Sequence, residues 1–141
     1  MNISEAANLT GISAKMIRYY ESINLTKKSP RTVSGYRTYS ENDLHVLHFI
    51  KQARGLGFSL GQIQELLSLW QDPSRASADV KAIAQSHADD LNKRILELTK
   101  MRDILDQLAQ ACPGDHRAEC TIIQNLASAH QLAKYSVNEP T

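Results

Sequence analysis

The longest uninterrupted helical pattern limits the fold of this chain more than any other feature. Residues 77–111 contain neither Pro nor Gly, and apolar positions recur there every three or four residues, close to the 3.5-residue period of a coiled-coil seam. The seam positions are Val80, Ala84, His87, Leu91, Ile95, Leu98, Met101, Leu105 and Leu108. Such a helix is about 50 Å long, and a 141-residue chain has too little other mass to cover it. The pattern therefore predicts a homodimer in which a second copy covers the seam.

Composition favours a globular protein of the cytoplasm. Apolar residues make up 42% of the chain and charged residues 22%, near the globular average. Two cysteines are too few for a disulfide scaffold. No apolar run approaches the roughly 20 residues of a membrane span, and the first residues lack the features of a signal peptide. The predicted localisation is cytoplasmic, with no membrane partner.

The net charge of +1 conceals an asymmetry between the two halves of the chain. Residues 1–60 carry eight Lys or Arg and four acidic residues, whereas residues 61–141 carry eight and eleven. The net charge is thus +4 for residues 1–60 and −3 for residues 61–141. A basic half on a nearly neutral chain indicates an electrostatic footprint for nucleic acid. Ordinary solvated surface charge is the alternative.

Two short helices open the chain. Ser4 and Ser13 are expected to be their N-caps, and the Gly-containing turn at residues 10–12 separates them. Two short helices around such a turn are typical of a helix-turn-helix. Many other helical hairpins share this pattern, so the signal is weak by itself.

The second of these helices, residues 14–20, has the pattern of a recognition helix. Lys15, Arg18 and Tyr19 share one face, while the apolar side chains between them face a core. Cations beside an aromatic ring suit the major groove of DNA. A solvated basic helix is the alternative.

Residues 24–39 interrupt the helical pattern. Pro30 blocks a helix, and residues 33–39 combine a Ser-Gly turn with β-favouring side chains. We predict a short hairpin that presents Arg31, Tyr36 and Arg37. Beside a helix-turn-helix, this hairpin is a wing that contacts phosphates. The alternative is a connector whose arginines are merely solvated.

Two further helices complete the predicted DNA-binding domain, residues 1–72. Ser40 and Ser59 begin them, with Asp43 at the capping-box position of the first. Arg54, beside the glycines that end the first of them, is a candidate for a further phosphate contact. The dimerisation helix follows as residues 73–111.

The two cysteines flank a loop directly after the long helix. The sequence CPGDHRAEC spans residues 112–120, and its Pro-Gly turn can bring Cys120 within a few Å of Cys112. Two thiolates suit one soft monovalent ion such as Cu(I), whereas zinc usually takes four ligands. A redox switch and two inert thiols remain alternatives. Thr121 is expected to cap a short helix, so that residues 112–129 form a loop and helix and residues 130–141 a flexible tail.

Three segments of the N-terminal part resemble the signature of MerR-family transcriptional regulators. They are ISEAA at residues 3–7, IRYYE at 17–21 and GYRTY at 35–39. The similarity runs through the long helix into the cysteine loop, which resembles that of CueR-type copper-responsive activators. Thr121 departs from this pattern, since copper-type members often have Pro there.

The resemblance implies a mainly α-helical dimer with a winged helix-turn-helix, a long dimerisation helix and a C-terminal metal-binding loop. It implies that Cys112 and Cys120 bind Cu(I), Ag(I) or Au(I), and that Ser77 excludes divalent ions because their sensors have Cys there. It further implies binding to promoter DNA, whose distortion lets RNA polymerase holoenzyme activate copper-efflux genes.

Two other functions stay open, and an enzyme is not expected. One is a thiol redox sensor on the same DNA-binding scaffold, and the other is a cytosolic copper-buffering protein that binds no promoter. The sequence contains no phosphate-binding glycine loop, nucleophile motif or pattern of paired carboxylates.

Overall fold

A computed structural model describes residues 1–128, so the predicted tail at 130–141 lies outside the described residues. The described part contains six α-helices and no strand of more than one residue, which confirms the mainly α fold class. They are α1 (Ile3–Thr10), α2 (Ala14–Ser22), α3 (Glu41–Gly55), α4 (Leu60–Trp70), α5 (Ser77–Ala111) and α6 (Thr121–Ala127). The chain divides into two compact units, Met1–Ala84 and the part from Gln85 onward.

The helix-turn-helix forms as predicted, apart from one cap. Ser13 caps α2 by accepting a hydrogen bond from the Met16 amide. The cap of α1 is Asn2, whose side chain accepts from the Glu5 amide, and Ser4 lies inside the helix. Asparagine and serine cap equally well, so sequence could not place this boundary. Gly11 ends α1 at a φ of 72°, in the left-handed region that favours glycine.

Capping boxes begin both α3 and α4. Ser40 and Asp43 exchange side-chain to backbone hydrogen bonds at the start of α3, as predicted, and Ser59 and Gln62 do so at the start of α4. In α4, the helical spacing of the apolar residues predicts a buried stripe of Leu60, Ile63, Leu66, Leu67 and Trp70. Ile63 and Leu67 are buried. The prediction for Trp70 was wrong, since Trp70 is 40% exposed and its ring stacks on Phe49 with ring centroids 4.7 Å apart.

One hydrophobic core holds the N-terminal unit together. Its buried members are Ala6, Ile12, Ile17, Tyr20, Leu25, Tyr39, Leu47, Ile50, Ala53, Phe58, Ile63 and Leu67. Ile83 of α5 packs against this core, so the compact unit extends into α5, beyond the domain boundary predicted after residue 72.

Between α2 and α3 the chain forms the predicted turn, with less regular pairing than a full hairpin. Arg31 and Arg37 form an isolated antiparallel bridge. The Thr32 amide donates to the Tyr36 carbonyl at 2.6 Å, and Gly35 turns the tip at a φ of 88°. We call residues 30–38 the wing.

The long helix α5 contains 35 residues, so the uninterrupted helix predicted over residues 77–111 is confirmed. Its seam is buried only at His87 and Leu108. The seam residues between them are exposed by 37–62% in the single chain, namely Leu91, Ile95, Leu98, Met101 and Leu105. Within residues 1–128, no helix is both long and apolar enough to cross a membrane.

Candidate nucleic-acid interface and metal centre

Helix α2 separates its cations from the core. Lys15, Arg18 and Tyr19 are exposed, while Ile17 and Tyr20 on the opposite face are 1% and 5% exposed. The Tyr19 ring lies 6.2 Å from that of Tyr20. The predicted division of faces is confirmed, and the face with the two cations is open to solvent.

The wing presents two of its three predicted contact residues outward. Tyr36 is 71% exposed at the tip, and Arg31 is exposed with one long hydrogen bond, 3.4 Å, from its guanidinium to the Gly35 carbonyl. Arg37 differs, because its side chain is only 27% exposed and turns toward α2.

There Arg37 meets a buried carboxylate. Arg37 Nη1 lies 2.8 Å from Glu21 Oε2, and the Tyr39 hydroxyl donates to Glu21 Oε1 at 2.7 Å. Burial, and then the hydrogen bond to Glu21, raise the pKa of Tyr39. Sequence reasoning missed Glu21, although one signal was present, an acidic residue on the inward face of α2 beside Ile17 and Tyr20.

Arg54 stands at the end of α3, exposed as predicted. Its Nη1 donates to the Phe58 carbonyl at 3.4 Å, which holds the side chain beside the loop between α3 and α4.

In the second unit, the two cysteine sulfurs meet. Cys112 directly follows α5, Cys120 directly precedes α6, and their Sγ atoms are 3.4 Å apart. Both cysteines are free thiols, since this distance is much longer than the roughly 2.05 Å of a disulfide bond. The predicted proximity is therefore confirmed. Thr121 is the first residue of α6 rather than its cap, and its hydroxyl donates to the Ala111 carbonyl at 3.0 Å, which ties the loop closed.

The backbone at the start of α6 lowers the pKa of the Cys120 thiol. The Ile123 amide in the first turn of α6 is the main cause that lowers the pKa of Cys120, and the hydrogen bond from the Cys112 thiol adds to it. A thiolate is the form that binds metal and reacts with oxidants. The site is thus prepared for either chemistry.

Other donors of the loop are engaged elsewhere or point outward. Asp115 accepts from the Arg117 guanidinium at 2.8 Å and from its amide at 2.9 Å, and His116 is exposed. Within residues 1–128, no group of three or more His, Cys, Asp or Glu side chains converges on a metal-sized space. The cysteine pair by itself fits an ion of low coordination number.

Ser77 is the exposed first residue of α5 and belongs to the N-terminal unit. The connector before it is held by Asp72, which accepts from the Ser74 amide and hydroxyl, and by Arg75, which donates to the Trp70 carbonyl at 3.2 Å. The hydrogen bonds from Ser74 lower the pKa of Asp72. The role of Ser77 in metal selectivity stays a prediction.

The fold and the site together define a DNA-binding regulator, because a helix-turn-helix with a basic outer face is combined with an adjoining wing and a long helix. Comparison with known proteins specifies the family. A model described as MerR HTH family regulatory protein matches residues 1–70, and one described as MerR, DNA binding matches residues 44–108. The chain belongs to the MerR family of transcriptional regulators.

Individual relatives match along nearly the whole chain. The HTH-type transcriptional regulator HmrR of Sinorhizobium medicae is 51% identical over 98% of this chain and 94% of its own length. The HTH-type transcriptional regulator CueR of Escherichia coli O157:H7 is 45% identical over 90% of this chain and 94% of its own. Both are regulators, not enzymes.

Among solved structures, the fold is similar to that of the transcription regulator PbrR691 from Ralstonia metallidurans in complex with lead(II). The TM-score is 0.79 at 28% identity, over 89% of this chain and 98% of that one.

Proposed function

We propose that this protein is a metal-responsive transcriptional activator that binds Cu(I), or Ag(I) or Au(I), between Cys112 and Cys120. The observation that carries the proposal is the pair of free sulfurs 3.4 Å apart at the end of α5. The similarity to CueR and HmrR supports metal-dependent regulation, and the copper-responsive assignment rests on the resemblance of the cysteine loop.

The donor set fits a soft monovalent ion. A metal–thiolate bond is about 2.3 Å long, so linear binding of one ion needs the two sulfurs about 4.6 Å apart. The sulfurs are 3.4 Å apart without the ion, so the loop would have to open by about 1.2 Å to hold it linearly. Cu(I) prefers sulfur ligands, and a bound ion would join the end of α5 to the start of α6.

The active unit we propose is a homodimer. The seam residues of α5, exposed by 37–62% in one chain, would be covered by the same residues of a second copy. Ser77 is proposed to meet the metal loop of the partner copy and to keep the site selective by supplying no third thiol.

Each protomer is proposed to contact one half of a pseudo-palindromic promoter site. Lys15, Arg18 and Tyr19 would enter the major groove, because they form the exposed face of α2. The flanking backbone would be bound by the exposed Arg31, Tyr36 and Arg54, whereas the Arg37 side chain is turned toward Glu21. Phosphate contacts of this kind make binding salt-dependent, with a slope of about −0.9 per neutralised phosphate.

Activation is proposed to follow from distortion of the promoter. The metal-bound dimer bends and untwists the spacer so that RNA polymerase holoenzyme engages both of its recognition elements, which is regulation through DNA deformation. Metal achieves this only if it binds the activating conformer more tightly than the other.

The decisive experiment is an anaerobic Cu(I) titration against a competing chelator, followed by transcription in vitro with a panel of metals. We expect one tightly bound ion per protomer and Cu(I)-dependent transcription. Cys112→Ser and Cys120→Ser should each abolish the metal response and keep DNA binding. Stoichiometric Cu(I) binding without any DNA preference would instead favour copper buffering, and retained induction in the variants would refute the two-thiolate site.

A thiol redox sensor is the second candidate, favoured by the lowered pKa of Cys120 beside the Cys112 thiol. Oxidation would join the two sulfurs in a disulfide and release two protons and two electrons to an oxidant such as a peroxide. Transcription that responds to peroxide and not to Cu(I) would decide for this candidate.

A further inference from the structure

We propose that Glu21 is a positioning residue for DNA recognition, whose buried carboxylate holds the wing against the recognition helix through Arg37 and Tyr39. The inference rests on the DNA-binding part of the proposed function. It assigns Arg37 a role that acts through Glu21 rather than through a phosphate.

The geometry gives each carboxylate oxygen its own partner. Glu21 is 2% exposed near the end of α2, with Oε2 at 2.8 Å from Arg37 Nη1 and Oε1 at 2.7 Å from the Tyr39 hydroxyl. The two partners flank Thr38, whose amide and hydroxyl both donate to the Pro30 carbonyl. One carboxylate therefore fixes the base of the wing where its two sides meet.

Few other hydrogen bonds of the wing orient it relative to the rest of the N-terminal unit. The hydrogen bonds of Thr32, Gly35 and Tyr36 are internal to it, and Val33 at the tip is fully exposed. Below the wing, the Tyr39 amide pairs with the Met1 carbonyl at 2.7 Å. The Glu21 ion pair thus links the wing directly to the helix that carries Lys15 and Arg18.

A buried ion pair adds little net stability compared with apolar packing. A pair that joins two DNA-contacting elements has another use, which is to fix their relative position before DNA arrives. Preorganisation of this kind saves the ordering cost at binding. The charge of Arg37 is then largely used inside the protein, consistent with its 27% exposed side chain.

The variant Glu21→Gln removes the charge of the carboxylate and keeps its shape. Whether DNA binding becomes weaker or tighter then distinguishes a positioning role from an effect of net charge. Removal of a negative charge near DNA should tighten binding if only net charge matters. If Glu21 positions the wing, binding should weaken, and we expect a loss on the order of tenfold, or about 1.4 kcal/mol. The matched control is Glu65→Gln, which removes an exposed carboxylate from α4 of the same unit and should not weaken binding.

The probe is a duplex that the wild-type protein enriches from a random-sequence library, with binding followed by fluorescence anisotropy. A double-mutant cycle with Arg37→Gln completes the test. If Arg37 acts through Glu21, the double variant should bind no worse than the weaker single variant. Losses that multiply, or Glu21→Gln binding that is unchanged or tighter, would overturn the proposal.

Two readouts guard against a folding defect. Amide exchange should accelerate at Thr32 and Thr38 of Glu21→Gln while the α5 amides stay protected. Should Glu21→Gln not fold, Tyr39→Phe removes only the hydroxyl and must still weaken binding severalfold for the proposal to stand. If the wild-type protein enriches no sequence, the proposed function itself is contradicted. If the wild-type protein binds DNA and the variant binds equally well, only the role of Glu21 is contradicted.

Discussion

Truncation of one seam residue tests whether α5 is a dimerisation helix. Leu98→Ala removes a side chain that is 62% exposed in the single chain. Complete burial of a leucine side chain stabilises by about 1.5–3 kcal/mol, so this exposed fraction corresponds to about 1–2 kcal/mol per copy. Two copies lose about 2–4 kcal/mol, which raises the dimer dissociation constant by roughly 30- to 700-fold.

The same helix supplies the control. Leu96 is 58% exposed and lies two residues from Leu98, about 200° around the helix and off the seam. Leu96→Ala therefore removes the same group with the same change in helix propensity. Sedimentation velocity over a dilution series measures both dissociation constants. Equal weakening by the two variants, or a Leu98→Ala dimer as tight as the wild type, would refute the seam.

Three further predictions concern DNA, metal selectivity and pH. Arg18→Ala should weaken operator binding and leave the metal affinity unchanged in the chelator titration. The dependence of the logarithm of the binding constant on the logarithm of the salt concentration should become shallower by about 0.9 for each phosphate that the protein no longer neutralises. A salt dependence and a DNA affinity like those of the wild type would exclude Arg18 from the interface. Ser77→Cys should extend transcription in vitro to divalent ions, and an unaltered metal profile would remove Ser77 from selectivity. Because the pKa of Cys120 is lowered, its alkylation by iodoacetamide should persist as the pH falls below the ordinary thiol range near 9, as mapped by mass spectrometry; a midpoint at or above 9 contradicts that shift.

Features encoded by neighbouring residues could be predicted from the sequence. The spacing of Lys15, Arg18 and Tyr19 determines which face of α2 is exposed, and it needs no knowledge of the rest of the fold. The Pro-Gly turn after Cys112 likewise returns the chain, so the sulfurs meet at 3.4 Å. Local periodicity and turn chemistry are sufficient for both.

Features that depend on distant partners could not be predicted. Glu21 looks like a surface acid at the end of a helix until Arg37 and Tyr39 reach it from 16 and 18 residues away. Arg37 looks like Arg31 in sequence, and only the folded wing turns one inward and the other outward. Trp70 continues the apolar stripe of α4, yet its ring finds Phe49 of α3 at the surface.

The energy that the proposed switch requires is within reach of the cysteine pair. Conversion of a two-state population from 1:99 to 99:1 needs about 5.5 kcal/mol of differential binding. A dimer with one pair per protomer divides this into about 2.7 kcal/mol per site, a roughly 100-fold preference for the activating conformer. Since Cys112 follows α5 directly and Cys120 begins α6, an ion held by both favours whichever conformer keeps these helix ends together. In the proposed switch, discrimination between the two conformers would therefore depend on the distance between the two sulfurs.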